Sequence, residues 1–170
     1  MGHRVSLFAG PIGALRAYLD IVGASCAFAL TPGAELLVLP LTDDTLDALH
    51  EHYGTGEWLP SGPRLSTGDL AFAMDASRSS ALAYLQTDYF GNAGEQCAIL
   101  WRGGSEVLRP VCLGADTART RLPAFWPINV ALKGLGVVAP AGVDEFTAFG
   151  LANFRTNESI VEGAARRRRD

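Results

Sequence analysis

The sequence predicts one α+β domain, a mostly antiparallel sheet of five or six strands with helices packed on one face. Three observations lead there. Leu82 to Tyr89 and Gln96 to Arg102 read as strands on either side of a glycine-bearing turn. Gly103-Gly104 then returns the chain into Ser105 to Cys112, a two-residue hairpin signal. Segments opening at Pro11, Thr42 and Pro127 instead repeat apolar residues at helical spacing. At 170 residues, 48% hydrophobic and 19% charged, the chain suits a single domain and is too apolar for a disordered one. We expect that domain to span residues 1–155, with a flexible tail over 156–170.

The elements follow in order. His3 to Phe8 is a short β-branched and aromatic run that reads as a strand. Pro11 suits the first turn of a helix carrying Ile12, Leu15, Leu19 and Val22 on one side. Cys26 to Leu30 and Glu35 to Leu39 flank Thr31-Pro32-Gly33-Ala34, which predicts a hairpin. Thr42 is an N-cap, Asp43 and Asp44 suit a helix first turn, Leu46, Leu49 and Tyr53 form the buried stripe, and Gly54 is a stop. Ser66 to Ser77 reads either as a strand, from Leu70, Phe72 and Met74, or as a helix capped by Ser66-Thr67 with Asp69; we favour the helix. Pro127 opens a helix with Ile128, Ala131, Leu132 and Leu135, closed by Gly136, and a last helix starts at Asp144.

Cysteine usage points to reduced thiols. There are three cysteines, Cys26, Cys97 and Cys112, and an odd count without a secretory leader argues for a cytoplasmic protein. With Gly103-Gly104 as the central turn pair, Cys97 faces Pro110 and Cys112 is its diagonal neighbour. Diagonal neighbours lie about 7–8 Å apart, too far for an unstrained disulfide, so two free thiols are expected. No histidine sits at zinc-ligand spacing from a cysteine, and no metal or other cofactor is expected.

The charge is uneven. Net charge is −4, and the last five residues contribute +3, leaving −7 on the rest. Between Arg16 and Arg64 there is no cation but seven acids. Such a body disfavours nucleic acid and attracts a basic protein. No apolar run approaches the roughly 20 residues of a membrane span. The candidate partner-binding residues are Asp43, Asp44, Asp47, Glu51, Glu57 and Trp58. Asp43, Asp47 and Glu51 fall four apart along one helix edge. Trp58 either tucks against the core or stands exposed for binding. His50 and His52 near that helix's end read as solvated capping groups.

A second candidate is the loop with Asp88, Tyr89, Gly91, Asn92, Gly94, Glu95, Gln96 and Cys97. Its glycines permit positive φ and close approach of a ligand to backbone N–H groups, and Cys97 follows as a nucleophile if exposed. It also reads as a plain hairpin. Neither a Walker loop nor a dinucleotide fingerprint fits, because no helix follows the glycines.

The stretch Asp88-Tyr89-Phe90-Gly91-Asn92-Ala93-Gly94-Glu95-Gln96, with Trp101 ending the next strand, resembles a group of uncharacterised bacterial proteins. They carry an acidic residue, Tyr-Phe-Gly-Gly and then Gly-x-Gln. The resemblance resumes at Pro127-Ile128-Asn129-Val130-Ala131-Leu132 and at Asp144-Glu145-Phe146 with Gly150-Leu151, and departs at Asn92. It implies a shared fold and supplies no activity.

The leading expectation is a non-enzymatic cytoplasmic binding protein whose acidic surface meets a basic protein partner, in the manner of a toxin-neutralising immunity protein. Alternatives are a small enzyme or ligand-binding domain centred on residues 89–97, and a structural subunit of a larger assembly, including a homo-oligomer.

Overall fold

Apolar side chains occupy both sides of the central strands, and this decides the architecture. The computed structural model describes residues 2–22, 27–30, 35–90, 93–114 and 123–167. Among these residues the strands are β1 (His3–Pro11), β2 (Leu36–Pro40), β3 (Leu82–Phe90), β4 (Ala93–Arg102) and β5 (Ser105–Gly114). They form one antiparallel sheet in the order β2-β1-β3-β4-β5. Among the described residues the α-helices are α1 (Ile12–Val22), α2 (Asp43–Tyr53), α3 (Thr67–Ala76), α4 (Pro127–Gly134), α5 (Glu145–Ala148) and α6 (Asn157–Arg167). The α+β class and the five-strand antiparallel sheet are as the sequence predicts.

The helices, however, cover both faces rather than one. Phe8, Leu82, Tyr84, Ile99 and Trp101 point to one side and pack with Leu15 and Tyr18 of α1, Leu49 of α2, and Phe72 and Ala73 of α3. Val5, Leu7, Ala83, Leu85, Ala98 and Leu100 point to the other, against Ile128 and Leu132 of α4, Phe149 and Leu151 just after α5, and Ile160 of α6. The sign was in the strands themselves: Leu82 to Leu85 and Cys97 to Trp101 are continuous apolar runs, the pattern of a strand buried on both faces.

Several local expectations hold. Thr42 caps α2 and Gly54 ends it. The segment after Ser66 is a helix, with a reciprocal capping box between Ser66 and Asp69. Gly103 and Gly104 close the β4–β5 hairpin with Arg102 opposite Ser105. Pro11, by contrast, ends β1 rather than opening α1. Phe28 pairs with Val38 as the return of a hairpin would, while Cys26 and residues 31–34 lie outside the described residues.

The expectation of a flexible tail from Thr156 is corrected. Residues Asn157–Arg167 form α6, and Ile160 and Ala164 are buried in the core. Asn157, itself buried, accepts from the Ser6 N–H (2.9 Å) and donates to the Leu41 carbonyl (2.7 Å), so the helix start is stitched to the sheet. The arginine run continues past the described residues after Arg167.

Two predictions follow from this packing. Ile160→Ala should lower unfolding stability by about 2–4 kcal/mol in urea titration, as for a filled core site; a change within about 0.5 kcal/mol would mean that α6 does not pack as described. The second concerns His3, whose buried ring sets Nδ1 2.6 Å from Thr87 Oγ1 and Nε2 3.4 Å from the Leu151 carbonyl. Burial pushes this imidazole's pKa down. The unfolded chain, titrating near 6.5, then binds more protons than the folded one. This contribution to stability is complete above that value and is lost as pH falls toward the folded pKa. His3→Gln should therefore flatten the decline in unfolding free energy between about pH 7 and about pH 5, measured side by side with the parent chain.

Candidate functional site

The face covered by α1–α3 changes character along the strands. One rung, Phe8–Tyr84–Ile99, is apolar and buried. The next rung crosses four strands as Ser6–Gln86–Cys97–Cys112, and beyond it lies Arg4–Asp88–Glu95–Gly114. Apolar cover therefore stops where the sheet turns polar, and a cleft of about 670 Å³ opens there. That volume lies within the roughly 300–1,000 Å³ typical of ligand pockets. It exceeds two other hollows of the surface, at about 490 and 500 Å³.

Distant parts of the chain build this cleft. β1 supplies Arg4 and Ser6, β3 supplies Gln86, and the start of α2 supplies Asp43. The loop after α2 gives Trp58 and Ser61 to Arg64, and the start of α6 gives Asn157 and Glu158. Gln86 is fully buried at the base. Its Oε1 accepts from the Arg64 N–H at 2.7 Å and from the Tyr84 hydroxyl at 2.7 Å. Burial pushes the Tyr84 pKa well up, so this hydroxyl remains a donor. The Arg64 guanidinium pairs with Asp88. Those two bonds hold the loop over the sheet.

Trp58 is 54% exposed, so the buried alternative for it falls away. Its backbone pairs with Ser66, and its ring meets the His50 ring edge-on at 6.1 Å. Asp43, Asp44, Asp47, Glu51 and Glu57 are all exposed, and among the described residues none joins an ion pair. Asp43, Asp47 and Glu51, four apart, make an acidic strip along α2; Asp43 lines the cleft together with Trp58, and Glu57 precedes Trp58 in the loop.

His50 is more than a solvated cap. Its Nε2 lies 3.1 Å from Asp69 Oδ1 and 3.3 Å from Ser66 Oγ, and Asp69 is fully buried. A serine, a histidine and an aspartate thus meet, at separations no local motif announces. The geometry is not that of a relay. A relay needs the carboxylate on one ring nitrogen and the hydroxyl on the other, whereas here one nitrogen faces both. Ser66 Oγ is also buried, donates to Asp69 Oδ2 at 2.9 Å and caps the Asp69 N–H. The group is a capping box reinforced by histidine, and its role is to anchor α3.

The loop candidate is architectural where it is described; Gly91 and Asn92 lie outside the described residues. A Cβ on Gly94 would run into the Asp88 carbonyl, so the β3–β4 turn requires glycine there. Gln96, buried, donates to the Tyr89 hydroxyl at 2.8 Å and accepts from the Ile128 N–H at 3.3 Å. Burial raises the Tyr89 pKa. Asn129 in turn accepts from the Phe146 N–H at 2.8 Å. Residues 88–96, 127–132 and 144–151 are therefore hydrogen-bonded to one another in series, which gives these three stretches a part in holding the fold. Glu95 lies across from Asp88, and only Asp88 reaches the cleft, through Arg64.

The free-thiol expectation is corrected as well. Cys97 and Cys112 are joined in a disulfide, with Cα atoms 4.1 Å apart. Two register shifts, one between Ala98 and Leu100 and one between Leu100 and Trp101, carry Cys112 from the diagonal position to face Cys97 directly. Bonded and buried, Cys97 is not a thiol nucleophile in this form, and the thiol premise for a cytoplasmic location no longer holds. Among the described residues there is no cluster of metal ligands, and no helix is long and apolar enough to cross a membrane. Comparison with protein-family models, curated proteins and solved structures finds no match to the chain.

The capping assignment is testable. Ser66→Ala should cost about 1–2 kcal/mol of unfolding stability through the lost cap and the under-satisfied Asp69 carboxylate. A fluorophosphonate probe should leave Ser66 unlabelled. Labelling at that residue would instead make it a nucleophile.

Proposed function

We propose that this chain is a non-enzymatic binding protein that engages a basic protein partner through α2, the loop carrying Glu57 and Trp58, and the mouth of the adjoining cleft. The observation that supports this reading is the company Trp58 keeps. A half-exposed tryptophan stands at the cleft with Asp43 in the same lining and Glu57 before it in the chain, and these two with Asp44, Asp47 and Glu51 are exposed carboxylates with no ion-pair partner among the described residues. Unpaired surface acids accelerate encounter with a cationic partner, and an aromatic anchor beside a pocket is the usual seat of binding energy. An exposed indole also accepts a guanidinium or ammonium over its face. The immunity-protein comparison belongs to this reading by type alone. A cytoplasmic location fits it if the Cys97–Cys112 bond opens and closes there, because lasting disulfides are rare in reducing compartments.

The test is affinity capture at low and moderate salt with the parent chain and with Asp43→Lys/Asp47→Lys/Glu51→Lys, followed by calorimetry on any captured protein. The reading expects one basic protein, lost on charge reversal, and an affinity loss of roughly tenfold or more for Trp58→Ala. Binding that survives the triple reversal sinks it.

A further inference from the structure

The disulfide touches both the base and one wall of the cleft. On the base, Gln86 Nε2 approaches Cys97 Sγ at 3.9 Å, while the same side chain holds the Arg64 N–H through Oε1. On the wall, Gly62 lies against Cys112 Sγ so closely that a Cβ added there would sit 3.2 Å from the sulfur. Gly62 also has φ +85°, a backbone conformation that favours glycine. Residues 61 to 64, between these two contacts, carry the Arg64 pair with Asp88.

The two cysteines differ in exposure. Cys97 is fully buried on an inner strand, and Cys112 is exposed on the edge strand β5. A thiolate from solvent meets Cys112 first.

We infer that Cys97–Cys112 is a thiol–disulfide exchange site whose redox state sets the shape of the cleft wall, with a dithiol as the co-reactant. One thiolate of the dithiol attacks Cys112 Sγ. The Cys97–Cys112 bond breaks, Cys97 leaves as a thiolate and takes up a proton, and a mixed disulfide joins Cys112 to the reagent. The reagent's second thiolate then attacks its own sulfur of that mixed disulfide. Cys112 is released as a thiol, the dithiol becomes a disulfide, and two electrons have passed to the protein. The two separated thiols need more room than the bonded pair. Cys97 is enclosed by core, so the displacement falls on Cys112 and the Gly62 backbone beside it. Movement there loosens the Arg64 bonds to Gln86 and Asp88 and remodels the wall facing Trp58. Control of partner binding by this bond rests on the function proposed above; the change in the wall itself does not.

The experiment is hydrogen exchange of the full chain, oxidised and in dithiothreitol, after peptide mapping of the oxidised form. The expected result is a Cys97–Cys112 linked peptide, with exchange in residues 59–66 faster by about tenfold on reduction while the β1–β3 ladder around Leu7 and Leu85 stays protected. The folded Cys97→Ser/Cys112→Ser variant should match the reduced form with or without dithiothreitol. Equal exchange in both redox states overturns the inference. So does a rise throughout the chain, which would make the bond a general staple, and so does the absence of the linked peptide. None of these readouts uses a partner, so failure here and failure of the acidic-surface reading are told apart. If both stand, capture of the basic partner changes with redox state in the parent chain and not in the serine variant.

Discussion

Strands β1, β3 and β4 send apolar side chains to both sides of the sheet, and burying both sets takes a helical layer over each. Each large side chain moved fully out of water contributes roughly 1.5–3 kcal/mol, more than the roughly 0.5–1.5 kcal/mol net worth of a typical neutral hydrogen bond. The rest of the structure depends on this constraint. The first layer, α1 to α3, is placed by Phe8, Tyr84, Ile99 and Trp101; the second, α4 to α6, by Leu7, Leu85, Ala98 and Leu100. Where the apolar rungs end, at Ser6 and Gln86, no apolar side chain draws α1 to α3 down onto the sheet. The cleft is the space that results.

Buried polar groups then determine how the layers attach. Gln96 joins the β3–β4 hairpin to the start of α4, Asn129 joins α4 to Phe146 in α5, and Asn157 joins α6 to β1 and Leu41. His3 and Thr87 close the same side. An amide left without a partner in such a place is costly, so each link also specifies where its helix can sit. Asp69, Ser66 and His50 do the same for α3 on the opposite face. Residue types often associated with catalysis thus serve here to position helices.

The edge strand behaves differently. β5 is exposed along most of its length, and its pairing with β4 slips by one residue at each of two places. Those slips bring Cys112 opposite Cys97 and set the disulfide beneath the loop that carries Trp58 and Arg64. The acidic strip of α2, the exposed indole and the bond therefore converge at one end of the sheet. Helix α2 has its own reason to start with Asp43 and Asp44, which favour the positive end of the helix dipole. Asp47, Glu51 and Glu57 have no such local reason, and together they leave this face rich in unpaired negative charge.

By itself the sequence determined the elements whose signals are local. Thr42, Gly54 and the Ser66–Asp69 box mark helix ends, and Gly103-Gly104 marks a hairpin, because caps and turns depend on residues within a few positions of one another. Two-sided burial was legible too, in the unbroken apolar runs of β3 and β4, although hairpin alternation suggests a single covered face. The acidic strip was visible as i, i+4 spacing. Only the tertiary structure decided the rest. Register past a bulge depends on how the strand twists against its neighbour, so Cys97 and Cys112 could not be paired by counting from the turn. Helix α6 has a weak local pattern; Ile160 and Ala164 bury it in the core, and Asn157 ties its start to Ser6 and Leu41, more than a hundred residues away in β1 and just past β2. The cleft unites Arg4, Trp58, Arg64, Gln86 and Asn157. No spacing links these residues, because long-range packing brings them together and local propensity does not.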